Sequence, residues 1–174
     1  MSDAFTLTLD DREITDALSG LAAKASDLSA PLREIGEAMV LSTKQRFANS
    51  TGPDSEKWAE NSPVTMERWL GAKGGAWKKS GALSKRGEKL TAAKKPLVAF
   101  GTMGQNIHPA ITGPTTLEWG AADKQANVMQ WGAPKRSLGP KSPWGDIPAR
   151  PFLGLSAADR ETILGVIERY LAVS

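Results

Sequence analysis

Apolar residues recur at helical spacing in three stretches of the chain and alternate with polar ones in several shorter runs. Ile14, Leu18, Leu21, Ala22, Ala25 and Leu28 make a first helical stripe. Ser29 and Pro31 mark a new start, since proline fits the first helical turn. The second helix carries Leu32, Ile35, Met39, Val40 and Phe47 on one face. Gly36 and Thr43 fall in the same stripe, and such small residues predict close approach by another element. The run Asn49-Ser50-Thr51-Gly52-Pro53-Asp54 stops that helix and starts a loop. A third stripe, Ile163, Val166, Ile167, Tyr170 and Leu171, lies near the C-terminus. Ser156 reads as its N-cap, with Asp159 in the capping-box position.

The shorter runs predict strands. Phe5 to Leu9 alternates and ends at Asp10 and Asp11. Leu97 to Phe100, Asn106 to Thr112, Thr115 to Trp119 and Asn127 to Trp131 are each bounded by Gly, Pro or Asn, with Gly113-Pro114 as a turn. Together the elements predict one α+β domain spanning 1–174. In it an N-terminal helical hairpin and the C-terminal helix pack on a small antiparallel sheet, with long irregular loops. Trp119 and Trp131 sit at strand ends, where a ring can cap the core or anchor a neighbouring subunit.

Two segments interrupt this pattern. Residues 55–95 hold candidate short helices at Val64 to Leu70 and Ser80 to Leu90, joined by a glycine-rich stretch from Gly71 to Trp77. Residues 133–146, rich in Pro, Gly, Lys and Ser, end at Trp144-Gly145-Asp146. Both are expected as extended or mobile loops. The first is strongly one-sided in charge, with Lys73, Lys78, Lys79, Lys85, Arg86, Lys89, Lys94 and Lys95 against Glu88. Such a run is either a contact for DNA phosphates or an acidic protein surface, or a solvated loop.

The segment Ile147-Pro148-Ala149-Arg150-Pro151-Phe152-Leu153-Gly154-Leu155-Ser156 is a stiff extended arm. Its prolines fix their own φ and push Ile147 and Arg150 into extended backbone. It carries one charge among apolar neighbours and offers no reactive group beyond a guanidinium. The arm holds a fixed contact, either with a neighbouring subunit or with the subunit's own sheet.

Composition narrows the chemistry. A chain of 174 residues with 40% hydrophobic and 24% charged residues is ordinary for a soluble globular domain. With no cysteine, disulfides and thiolate metal sites are excluded. No run approaches the length of a membrane span, and the N-terminus lacks the pattern of a secretory signal. The net charge of +3 is too small to indicate nucleic-acid binding by itself. His108 is the single histidine and is followed by Pro109, so any Ser-His-Asp triad would rest on it alone. Gly71 to Gly75 lacks the Lys-Ser/Thr ending of a phosphate loop, and Gly101-Thr102-Met103-Gly104 is no dinucleotide fingerprint. These residues predict neither an enzyme nor a metal or cofactor site.

Leading into a terminal helix, the arm resembles the phage virion morphogenesis, or tail completion, proteins of contractile-tailed and Mu-like bacteriophages. Other pieces follow that pattern in order: Gln45-Arg46-Phe47, then Pro53-Asp54 and Trp58, Ser80-Gly81-Ala82-Leu83, and Met129-Gln130-Trp131-Gly132. The resemblance spans about residues 30–172, and Ser55 stands where the family often has Gly. It implies a structural protein that completes the tail as its terminator, or forms the neck between head and tail. Its partners would be other copies of itself, in a ring expected to be hexameric, and tail-tube, terminator or neck/connector proteins. DNA in the passage is a further candidate partner, and no membrane is. It would be assembled in the bacterial cytoplasm and reside in the virion.

The candidate subunit or partner contacts are then Pro148, Arg150, Pro151, Phe152 and Leu153, with Trp131 and Trp144. The runner-up is a nucleic-acid-binding accessory protein using the basic run. A small hydrolase is disfavoured by the single histidine.

Overall fold

A computed structural model of the chain describes residues 11–24, 27–98, 102–137, 139 and 145–173. Among these are helices α1 (Arg12–Lys24), α2 (Ser29–Asn49), α3 (Pro63–Gly71), α4 (Lys85–Ala93), α5 (Thr102–Gln105), α6 (Ala126–Trp131) and α7 (Ala157–Val173). Two strands, β1 (Ile107–Gly113) and β2 (Thr116–Ala121), pair antiparallel. The class is α+β. The expected strand at Phe5 to Leu9 lies outside the described residues.

The apolar stripes build the first core cluster. Leu21, Leu28, Leu32, Ile35 and Met39 from the N-terminal region meet Ile163, Val166 and Ile167 of α7, and both α1 and α2 pack against α7. The small positions in α2 serve as the pattern predicts. A Cβ on Gly36 would come 2.8 Å from Cβ of Pro109, so the helix crosses the hairpin where it has no side chain. One helical step pair further along, Thr43 is fully buried and its hydroxyl accepts a hydrogen bond from the Trp119 indole at 3.3 Å. Trp119 packs against both core clusters and caps them from β2. The second cluster joins Phe47, Trp58, Met103, Ile107, Ala126, Phe152 and Leu153.

Two strand expectations are corrected. Residues 127–131 lie in helix α6, where Ala126 and Gln130, one turn apart, are buried and Val128 is only half-buried; a strand would put all three on one face. Gly132 ends it at φ +74, and a Cβ there would lie 2.6 Å from the Ile147 carbonyl oxygen. Leu97 has φ +59, which no strand accommodates, and the Val98 carbonyl accepts from Lys94 Nζ at 2.6 Å instead of from a neighbouring strand. Ala99 and Phe100 lie outside the described residues.

Within 55–95 the two candidate short helices are present, as α3 and as α4, the second starting at Lys85. Ser62 and Ser84 cap α3 and α4 by accepting from the Thr65 and Gly87 amides. A tight turn closes the chain between them, with Trp77 bridged to Leu83. The loop at 51–57 is a small hairpin whose Ser55 has φ +63. That left-handed conformation favours glycine. No helix of the described residues is long and apolar enough to cross a membrane.

Candidate functional site

The arm from Ile147 to Ser156 is gripped by side chains from widely separated parts of the chain. Arg46, in the last turn of α2, directs Nη1 between the carbonyl oxygens of Phe152 and Gly154, at 2.9 Å each. Its Nη2 forms an ion pair with Asp159 of α7, both side chains being buried. Gln130 of α6 accepts from the amides of Phe152 and Leu153 at 3.0 Å each, and donates to the Leu153 carbonyl at 3.0 Å. The indole nitrogen of Trp58 donates to the Pro151 carbonyl at 2.8 Å. The Arg150 amide donates to the Met129 carbonyl at 2.7 Å.

A proline-rich segment cannot complete its own backbone pairing, so buried carbonyls and amides here need outside partners. These four residues supply them. Among the described residues no buried side-chain nitrogen or oxygen is left without a partner.

Apolar contacts reinforce the grip. Phe152 is fully buried and lies against Phe47, with ring centroids 5.4 Å apart. Phe47 in turn meets Trp58 edge-on at 5.3 Å. Beyond the arm, Ser156 and Asp159 form the expected capping box. The Ser156 amide donates to Asp159 Oδ2 at 2.8 Å, and the Asp159 amide donates to Ser156 Oγ at 3.1 Å. Burial pushes the Asp159 carboxyl up, but hydrogen bonds from Ser42 and Ser156 and the charge of Arg46 outweigh it and hold the group below its ordinary value. Burial also pulls the Arg46 and Arg150 guanidiniums below theirs.

This geometry divides the predicted contact residues. Arg150, Phe152 and Leu153 point into the subunit, the second of the two directions left open for the arm. The Arg150 guanidinium donates to the Ala59 carbonyl through Nε and to the Glu60 carbonyl through Nη2, at 2.7 Å each. The arm folds back because its apolar side chains complete the second core cluster, and the guanidinium follows to the nearest free carbonyls. Pro148 and Pro151 remain exposed. So does Trp131, at 57%, which corrects the core-capping role open to it from sequence. Its neighbour Gly132 abuts Ile147 and Ala149, so Trp131 stands at the junction of α6 with the arm. Trp144 lies outside the described residues.

The basic run is also sorted. Lys73, Lys78, Lys79, Lys85, Arg86 and Lys89 are exposed. Lys94 is tied down, donating to the carbonyls of Lys95 at 2.9 Å and Val98 at 2.6 Å. Burial and the nearby Arg150 charge lower its pKa. Lys95 reaches the Ala48 carbonyl near the end of α2 at 2.6 Å, where the helix dipole favours a cation. Lys73 and Lys94 both approach the Trp69 ring, at 5.6 and 5.7 Å from its centroid. His108 is exposed on β1, opposite Gly120.

Sequence reasoning did not assign Arg46, Trp58 or Gln130 to the arm. A signal was present, since each lies within a fragment of the family pattern: Gln45-Arg46-Phe47, the Pro53 to Trp58 loop, and Met129 to Gly132. Three of the four fragments converge on the arm, while Ser80 to Leu83 forms the turn before α4. A family model described as the phage virion morphogenesis family matches residues 9–172. The chain belongs to that family. Its place is therefore in the building of the bacteriophage virion, as a structural component of assembly. No curated protein and no solved structure matches the chain.

Proposed function

We propose that this virion morphogenesis protein completes the tail or forms the neck joining head to tail, as a ring that docks on adjoining components. The observation that carries the reading is the family match across nearly the whole chain. The action is surface complementarity, without turnover or cofactor. The partners are further copies of the chain and tail-tube, terminator or neck proteins, met in the particle after synthesis in the host cytoplasm.

The fold supports a division of labour. The arm, Arg46 and Gln130 make a rigid subunit, while Trp131 with Pro148, Ala149 and Pro151 leaves apolar surface exposed at one junction. A ring needs two different surfaces per subunit, each meeting its complement on the neighbour. An exposed tryptophan on a rigid base suits one of them, because tryptophans are enriched among the residues that dominate interface energies.

The test is Trp131→Ala. The variant should keep the wild-type fold and thermal midpoint but lose ring formation, seen by mass photometry and electron microscopy with the wild type as control. Unchanged assembly would remove Trp131 from the contact.

A further inference from the structure

We infer that the outer face of α4 is a docking groove for an acidic protein segment carrying apolar side chains. This deepens the reading above, on which it rests for the expectation that the partner is a protein.

The charge is confined to one part of the molecule. Residues 73–95 contain eight of the 22 Lys and Arg but one of the 19 Asp and Glu, leaving 14 cations against 18 anions elsewhere. The helix concentrates it further. At about 100° per residue, Lys85, Lys89, Ala93, Arg86 and Leu90 fall within one arc of α4. Gly87 lies on the opposite side, buried against Ala76, and Glu88 falls outside the arc. The arc lines a shallow open depression of about 590 Å³. Its surface is mainly carbon, from Leu90, Ala93 and the stems of the three cations.

The groove thus has an apolar floor and a cationic rim. A polyanion alone would satisfy the rim and leave the floor without a partner. DNA is disfavoured on further grounds. The Trp69 ring is already engaged by Lys73 and Lys94, and Lys94 and Lys95 spend their ammonium groups on backbone carbonyls. Trp77 is the exposed ring nearest the remaining cations, but it stands outside the depression, which Lys85, Arg86, Lys89, Leu90 and Ala93 line. An acidic segment with apolar residues at helical spacing matches both parts. Its carboxylates meet Lys85, Arg86 and Lys89, and its apolar side chains cover Leu90 and Ala93.

The test uses the isolated full chain and three labelled probes in fluorescence anisotropy. One is a synthetic peptide of glutamates with two leucines at helical spacing, one is the same peptide with serines for leucines, and one is a mixed-sequence DNA duplex. The leucine peptide should bind, and the serine peptide should bind at least about tenfold more weakly. The variant Lys85→Gln/Arg86→Gln/Lys89→Gln should lose at least about tenfold of the leucine-peptide affinity, and Ala93→Asp a comparable factor. All four positions are exposed, so an unchanged thermal midpoint is the check that the fold survives. The inference is overturned if the leucine peptide does not bind, if it binds no better than the serine peptide, if the variants bind it normally, or if the duplex binds more tightly. Because binding is read without assembly, its failure leaves the ring reading standing, and loss of the ring reading leaves this result standing.

Discussion

Arg46 and Asp159, 113 residues apart in the chain, form a buried ion pair that fastens the last turn of α2 to the first turn of α7. The same guanidinium holds two carbonyls of the intervening arm, so one side chain ties three segments together. Removing one partner of such a pair leaves the other as an uncompensated buried charge. Arg46→Ala and Asp159→Asn should each cost about 3–5 kcal/mol, whereas Arg46→Met combined with Asp159→Leu should cost much less than their sum. Urea unfolding of the four proteins measures this directly.

The pair also sets an acid limit. The Asp159 pKa is lowered in the folded protein, so its contribution to stability is fully present above the ordinary carboxylate value of about 4. It is lost as pH falls through the lower, folded value. Stability should therefore decline below about pH 4 with a slope that Asp159→Asn reduces. Equal slopes for the two proteins, measured by denaturation across that range, would contradict the assignment.

Gln130 and Trp131 are sequence neighbours with opposite roles. Gln130→Leu leaves two amides and a carbonyl of the arm unpaired and should cost about 2 kcal/mol or more. Trp131→Ala, at an exposed position, should change stability by no more than about 0.5 kcal/mol. Phe152→Ala, in the core, should cost about 3–5 kcal/mol. Thermal and chemical unfolding would rank the three.

Ser55 holds a left-handed backbone that costs a non-glycine residue about 1–2 kcal/mol. Part of that gain is offset by the greater entropy of an unfolded glycine. Ser55→Gly should therefore raise stability by up to about 1 kcal/mol, seen as a higher midpoint in urea. A loss would place the strain elsewhere in the 51–57 hairpin.

The helical elements were legible because their stripes are long and regular. Gly36 and Thr43 even marked where the hairpin crosses α2. Short apolar runs were not, since Val128, Met129 and Trp131 satisfy a strand pattern as readily as one and a half helical turns. What decided that segment was Gln130, whose partners on the arm lie 22 and 23 residues away. The arm itself was recognised, but its direction was not. Arg150 between prolines is stiff whichever way it faces, and only the carbonyls of Ala59 and Glu60, about 90 residues earlier, draw it inward. The cradle of Arg46, Trp58 and Gln130 follows from long-range closure, which local pattern does not encode.

The most direct test of the assembly account is cryo-electron microscopy of mature particles with the subunit fitted to the density. The account predicts a closed ring of this chain at the head-proximal end of the tail or in the neck, with Trp131 at a contact between neighbours. A two-fold dimer in place of a ring, or no density for the chain in the mature particle, would contradict it.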